Sequence, residues 1–209
     1  MKKELVIQDI VKNIKNIKNK LISFSEDKNP LVRSEAIKAM GLFYDGDIDN
    51  AILRGLKDKD ELVRIEALDN IILPQNINKV FKKIAKLLKD KDPLVRAYAI
   101  DALAYNNAIM YKNKIKNLLH QKNINDELKV SIYFALVKFG DKKYLKKLFK
   151  LLNNENYKVR CATVNLLYFL ANKKNNYKFI KKLKKVLKKE KTKAVRSCIK
   201  NTIKDLKEL

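Results

Sequence analysis

An all-α array of six antiparallel helix pairs is the fold that the 209-residue sequence predicts. Three observations lead there. A short motif recurs at a nearly constant period, as in repeat architectures. Apolar residues inside each copy fall on one helical face. Only three prolines and four glycines occur, so no flexible linker interrupts the series.

The motif is clearest in Asp90-Lys-Asp-Pro-Leu-Val-Arg-Ala-Tyr-Ala-Ile-Asp-Ala-Leu103. Aligned on its arginine, the copies place Arg33, Arg64, Arg96, Lys129, Arg160 and Arg196 in one slot, at steps of 31, 32, 33, 31 and 36 residues. Five of the six arginines occupy this slot in a chain with 42 lysines, so the position calls for a guanidinium. Offsets −1, +3 and +7 are apolar or small in nearly every copy and form a buried stripe.

The elements follow in order. First helices are expected over 3–23, 47–57, 76–89, 108–120, 142–152 and 176–189, each with an apolar stripe between lysines. Turns rich in Asp and Asn lead from them into the arginine-bearing second helices: Asp27 to Pro30, Asp58 to Glu61, Asp90 to Pro93, Asn125-Asp126, Asn154 to Asn156 and Glu190 to Thr192. Asp and Asn accept from the exposed N–H groups of a helix start, and proline suits the first helical position. The whole chain reads as one repeat domain, 1–209, with repeats over 1–44, 45–74, 75–106, 107–140, 141–172 and 173–209.

Asp-x-x-Pro-x-Val-Arg-x-x-Ala-x-x-Ala-Leu resembles the HEAT repeat signature, in the short form of bacterial and archaeal HEAT-like proteins. The resemblance spans the chain; Lys129 and the absent proline in repeat four, and the long spacing before repeat six, depart from it. It implies a right-handed α-solenoid, an α-α superhelix of HEAT/armadillo type. First helices would line the convex side and arginine-bearing helices the concave side. It also implies a structural ladder of turn acids and helix arginines: Asp27, Arg33, Asp58, Arg64, Asp90, Arg96, Arg160 and Arg196.

The net charge is +25, and essentially all of it falls on the first-helix segments and their flanking lysines. The densest run is Lys173 to Lys189. It reads as a solvated helix face, or as an electrostatic footprint for nucleic acid through Lys178, Lys181, Lys182, Lys185 and Lys189, or for an anionic membrane surface. Offsets +2, +5 and +9 point opposite the buried stripe. Two of these eighteen residues are basic and five acidic, which counts against nucleic acid in the concave groove. Its first half offers Glu35, Lys38, Leu42, Glu66, Asp69 and Leu73; its middle and end offer Tyr98, Asp101, Tyr105, Ser131, Phe134 and Phe169. The acids Glu35, Glu66, Asp69 and Asp101 suit a basic protein or peptide. The aromatics Tyr98, Tyr105, Phe134 and Phe169 are either its anchors or packing between repeats.

Chemistry is thinly represented. His120 is the one histidine, and Cys161 and Cys198 the only cysteines, so no N/S metal site is expected. HEAT-like di-iron hydroxylases need repeated His-Glu pairs, and the DNA-repair relatives rely on tryptophan; this chain has neither. No phosphate loop or nucleophile elbow stands out. No apolar run reaches the ~20 residues of a membrane span. The expectation is a cytoplasmic, non-enzymatic scaffold without cofactor or metal, binding a protein or peptide; nucleic-acid binding, or a DNA-repair or lyase-type enzyme, are the alternatives.

Overall fold

A computed structural model describes residues 2–43, 45–71, 77–122 and 124–209, with side chains from residue 6 onward. Leu73, one of the inner-face candidates, lies outside them. The described residues contain twelve α-helices and no strand. The chain divides into two compact units, Met1–Ala99 and Ile100–Leu209.

The first unit holds α1 (Lys2–Phe24), α2 (Pro30–Met40), α3 (Gly46–Gly55), α4 (Glu61–Asp69) and α5 (Ile77–Lys86), which tightens into a 3-10 turn at Leu87–Lys89. It also takes the start of α6 (Pro93–Tyr105). Helix α2 packs along α4, with α1 against α2 and α3 against both. Gly55 lets α3 pack closely: a Cβ there would stand 2.5 Å from Ile37 Cδ1 and 3.1 Å from Ala67 Cβ. The second unit holds α7 (Lys112–Asn117) between two 3-10 turns, then α8 (Asp126–Lys138), α9 (Lys143–Leu151), α10 (Tyr157–Tyr168), α11 (Asn176–Lys189) and α12 (Lys193–Glu208). There α8, α10 and α12 stack in sequence, while α7, α9 and α11 back them. The all-α, paired-helix arrangement is thus the one expected.

The stripe is buried where the sequence puts it. Val63, Val95, Val159 and Val195 at offset −1 are buried, as are Ala67, Ala99, Ile132 and Ile199 at +3 and Met40, Leu103, Leu136 and Leu167 at +7. Helix α1 differs. Val6, Ile7, Ile10, Val11, Ile14 and Ile17 are all exposed.

The turns show why an acid or amide recurs six residues before the arginine. Asp58 Oδ1 accepts from Asp60 N at 2.9 Å, and Asp60 Oδ1 then accepts from Leu62 N at 3.0 Å, capping α4. Asp90 and Asp92 repeat this relay before α6, as do Asn154 and Asn156 before α10. The arginine closes the same turn from the other side. Arg64 Nη1 donates to Asp58 O at 2.8 Å and Lys59 O at 3.1 Å, taking up carbonyls left over at the turn. Its outer edge reaches the next repeat, with Nη2 donating to Asp90 Oδ1 at 2.8 Å.

The same rung joins Arg33 to Asp58 at 2.8 and 2.7 Å, and Arg160 to Glu190 at 2.8 and 2.9 Å. Repeat four, lacking the arginine, builds a substitute. Lys129 donates to Asp126 Oδ1 at 2.8 Å, and Asn154 Nδ2 donates to Asp126 Oδ2 at 2.6 Å.

Hydrogen bonds from Arg160 hold the Glu190 carboxyl down at about 2, against an ordinary value of 4.5; burial opposes them and the Thr192 N–H assists. A depressed folded-state pKa stabilises the protein above the unfolded value, and that stability is lost as pH falls from 4.5 toward 2. The full shift is worth about 3 kcal/mol. Solvent screening at the repeat edge brings the expected loss to about 1–2 kcal/mol. Urea unfolding at pH 7, 4.5 and 3 should show a decline larger by this amount in the native protein than in Glu190→Gln, where Asp45, Asp58 and Asp126, also held below the usual carboxylate range, still titrate. Parallel declines in both would mean that Glu190 is not the titrating group.

Candidate interaction faces

Inner-face slots in the first unit carry Glu35, Lys38, Leu42, Glu66, Asp69 and Tyr98. Glu35, Lys38, Leu42 and Asp69 are exposed, while Glu66 and Tyr98 are half-buried. Glu35 and Lys38 stand 3.9 Å apart in solvent. Asn70 Nδ2 donates to Glu66 Oε2 at 3.2 Å. Burial pushes the Glu66 carboxyl up; Lys38 opposes, while the charges of Asp69 and Glu35 add to the rise. Three acids and one lysine thus share this side of α2 and α4.

In the second unit the inner slots converge. The Tyr105 ring, at the end of α6, lies 5.3 Å from Phe134 of α8 and 4.7 Å from Phe169 at the end of α10. Tyr168 adds an edge contact to Phe169 at 5.2 Å. Tyr105 and Phe169 stand two repeats apart, a separation of roughly two interhelical spacings of 8–10 Å each. The three rings meet side by side, with Tyr105 against both Phe134 and Phe169.

Burial within this cluster corrects one expectation. Phe134 is fully buried, with no exposed ring to offer a partner, and Ser131 is buried beside it, donating to Asp101 Oδ2 at 3.0 Å. Phe134 is the floor of the cluster. Tyr105 and Phe169 remain 41% and 44% exposed above it. Lys138 reaches across to donate to Phe169 O at 3.3 Å.

The other side of this unit is basic. Helices α9 and α11 are neighbours, joined by Phe149 and Phe179 with ring centroids 5.7 Å apart. Lys182 sits 5.7 Å over Phe149, and Lys178 5.7 Å over Tyr177. Lys182, Lys185 and Lys189 line a cleft of about 580 Å³ at the turn between α11 and α12; Lys178 and Lys181 are exposed along the same helix.

One feature was missed in the sequence. Leu31, Leu62 and Leu94, at offset −2 of the first three repeats, are 60%, 45% and 47% exposed. The signal was present, since the slot changes to Glu127, Lys158 and Ala194 in the last three repeats. Offsets +1 and +2 of adjacent repeats also bring two thiols together, with Cys161 Sγ on α10 and Cys198 Sγ on α12 at 3.4 Å. Burial, with Cys198 adding, pushes the Cys161 thiol up to about 11, so at neutral pH it stays protonated and weakly nucleophilic.

Among the described residues, no cluster of three or more His, Cys, Asp or Glu could hold a metal ion. No helix among them is long and apolar enough to cross a membrane.

No family model matches the chain. No curated protein matches it either. Among solved structures, it is similar to an engineered protein at 18% identity, covering 92% of this chain and 97% of that one, with a TM-score of 0.45. It is also similar to the archaeal HEAT-like repeats protein from Thermococcus onnurineus NA1, at 17% identity over 90% of this chain and 86% of that one, with a TM-score of 0.39.

Proposed function

We propose that the chain is a non-catalytic binding scaffold whose arginine-bearing helices hold a basic protein segment or peptide carrying an apolar anchor. The observation that carries this reading is the Tyr105–Phe169 pair, half-exposed on a buried Phe134 floor where the inner helix ends converge. Large aromatic surfaces held rigid by packing beneath them are the usual energetic centres of protein interfaces. In the first unit by itself, Glu35, Glu66 and Asp69, with Lys38, occupy the corresponding slots and suit a basic segment bound there.

Panning a random peptide library against the full chain tests this. Enriched peptides should combine Lys or Arg with an aromatic or aliphatic residue. Tyr105→Ala with Phe169→Ala should weaken them by at least about tenfold. Glu66→Lys with Asp69→Lys should weaken them less and in a salt-dependent way. Peptides that bind the aromatic double variant as well as the native chain would overturn the reading.

A further inference from the structure

The excess charge is unevenly divided between the units. Residues 1–99 contain 20 Lys and Arg against 15 Asp and Glu, whereas residues 100–209 contain 28 against 8, so 20 of the 25 net charges lie in the second unit. We propose that the lysine-rich edge of this unit, centred on the cleft that α11 and the turn after it form against Leu152, Asn153, Asn154 and Arg160, binds the phosphate backbone of nucleic acid without reading its sequence.

Five lysines line that cleft: Lys182, Lys185, Lys188, Lys189 and Lys191. Glu190 is the single carboxylate in its wall, and its two oxygens already accept from Arg160 at 2.8 and 2.9 Å. It is therefore spent on the ladder and offers the lysines no local counter-ion. Like charges in a concave wall concentrate their field on whatever anion enters. Neighbouring α9 continues the surface with Lys143, Lys146, Lys147 and Lys150, all exposed, and no acid in the helix. Along α11, Lys178, Lys181, Lys182, Lys185 and Lys189 keep to one stripe, about 16 Å long at 1.5 Å per residue. A stripe of that length spans several phosphates.

The chemistry favours nucleic acid over a membrane. A helix that binds a lipid interface inserts an apolar face. Here the apolar stripe of α11 is turned inward, with Phe179 and Leu183 buried. The outer face offers mostly charge, with Tyr177 at its start the one large apolar side chain that stands exposed, and Lys178 lies over its ring. It also favours backbone contact over base reading. None of the cleft's five lysines has a planar fork for a base edge, and its one arginine, Arg160, is committed to Glu190. The equivalent cleft in the first unit, about 570 Å³, also has five lysines, Lys57, Lys59, Lys83, Lys86 and Lys91, but two acids, Asp58 and Asp90, and it lies in the unit that carries only 5 of the 25 net charges. It serves as an internal comparison.

The experiment is fluorescence anisotropy of the full chain with two unrelated 20-base-pair duplexes and one single strand at 50 and 200 mM salt. Vesicles of neutral lipid with one-fifth phosphatidylserine form a parallel arm. The expected result is similar affinity for both duplexes, falling steeply with salt by about 0.9 logarithmic units per logarithm of salt for each phosphate contact. Lys182→Glu with Lys185→Glu and Lys189→Glu should weaken binding more than about tenfold at 50 mM and flatten that slope by about two to three. Lys83→Glu with Lys86→Glu should change affinity by less than about threefold. Circular dichroism melts of both variants check that the fold is retained. Absence of binding at 50 mM salt, equal losses in the two variants, or binding to vesicles alone would each overturn the proposal. None of these substitutions touches Tyr105 or Phe169, so peptide binding stands or falls separately.

Discussion

Arg64→Ala is expected to lower the free energy of unfolding by about 3–5 kcal/mol. The side chains of Arg64 and Asp90 are only 6% and 9% exposed, so removing the guanidinium strands a carboxylate away from water. The same change releases Asp58 O and Lys59 O, which Arg64 Nη1 satisfies. Arg54 supplies the control. It is the one arginine outside the repeat slot, and it faces Glu26 at 3.3 Å with side chains 55% and 67% exposed. Arg54→Ala should cost no more than about 1 kcal/mol. Arg64→Lys should fall between, because an ammonium can meet Asp90 or the turn carbonyls but has no fork to meet both. Urea unfolding followed by circular dichroism separates the three. A cost for Arg64→Ala within error of that for Arg54→Ala would remove the ladder as a source of stability.

Those arginines also show how far the sequence could be read. In a chain that otherwise uses lysine, a guanidinium at a fixed period marks a geometric need. The relay of acid, cap and arginine explains the first and last positions of the Asp-x-x-Pro-x-Val-Arg pattern, while Pro93 opens α6 and Val95 is buried. Variants of the rung were less legible. Glu190 replaces Asp with one more methylene and still pairs at both oxygens, and Lys129 recruits Asp126 and Asn154 to bridge a gap that an ammonium cannot span alone. The lysine excess was plain from composition. Its concentration in residues 100–209 has meaning only once the unit boundary is known.

The inner face marks the limit of pattern reading. Offsets +2, +5 and +9 are right as a list of positions opposite the stripe, yet their exposure depends on how sharply neighbouring helix ends close together. Lys138 and Asn165 stay in solvent, whereas Ser131 and Phe134, in equivalent kinds of slot, are buried. Periodicity fixes a direction around one helix axis and carries no information about the distance to the next.

Phe134→Ala therefore separates the two roles that the sequence left joined. With no ring surface exposed, truncation should leave a cavity beneath Tyr105 and cost about 3–5 kcal/mol. Phe169→Ala, losing a ring that is already 44% exposed, should cost about 1 kcal/mol. Binding should order the variants differently. Phe169→Ala would lose affinity for an aromatic-anchored peptide while the protein keeps nearly all its stability. Phe134→Ala would lose both, because the Tyr105 ring no longer has a floor to hold it. Comparing urea midpoints with peptide affinities for the two variants decides the matter. Equal destabilisation would mean that Phe169 belongs to the core as fully as Phe134 does, and the convergent helix ends would then be packing with no surface left to offer a partner.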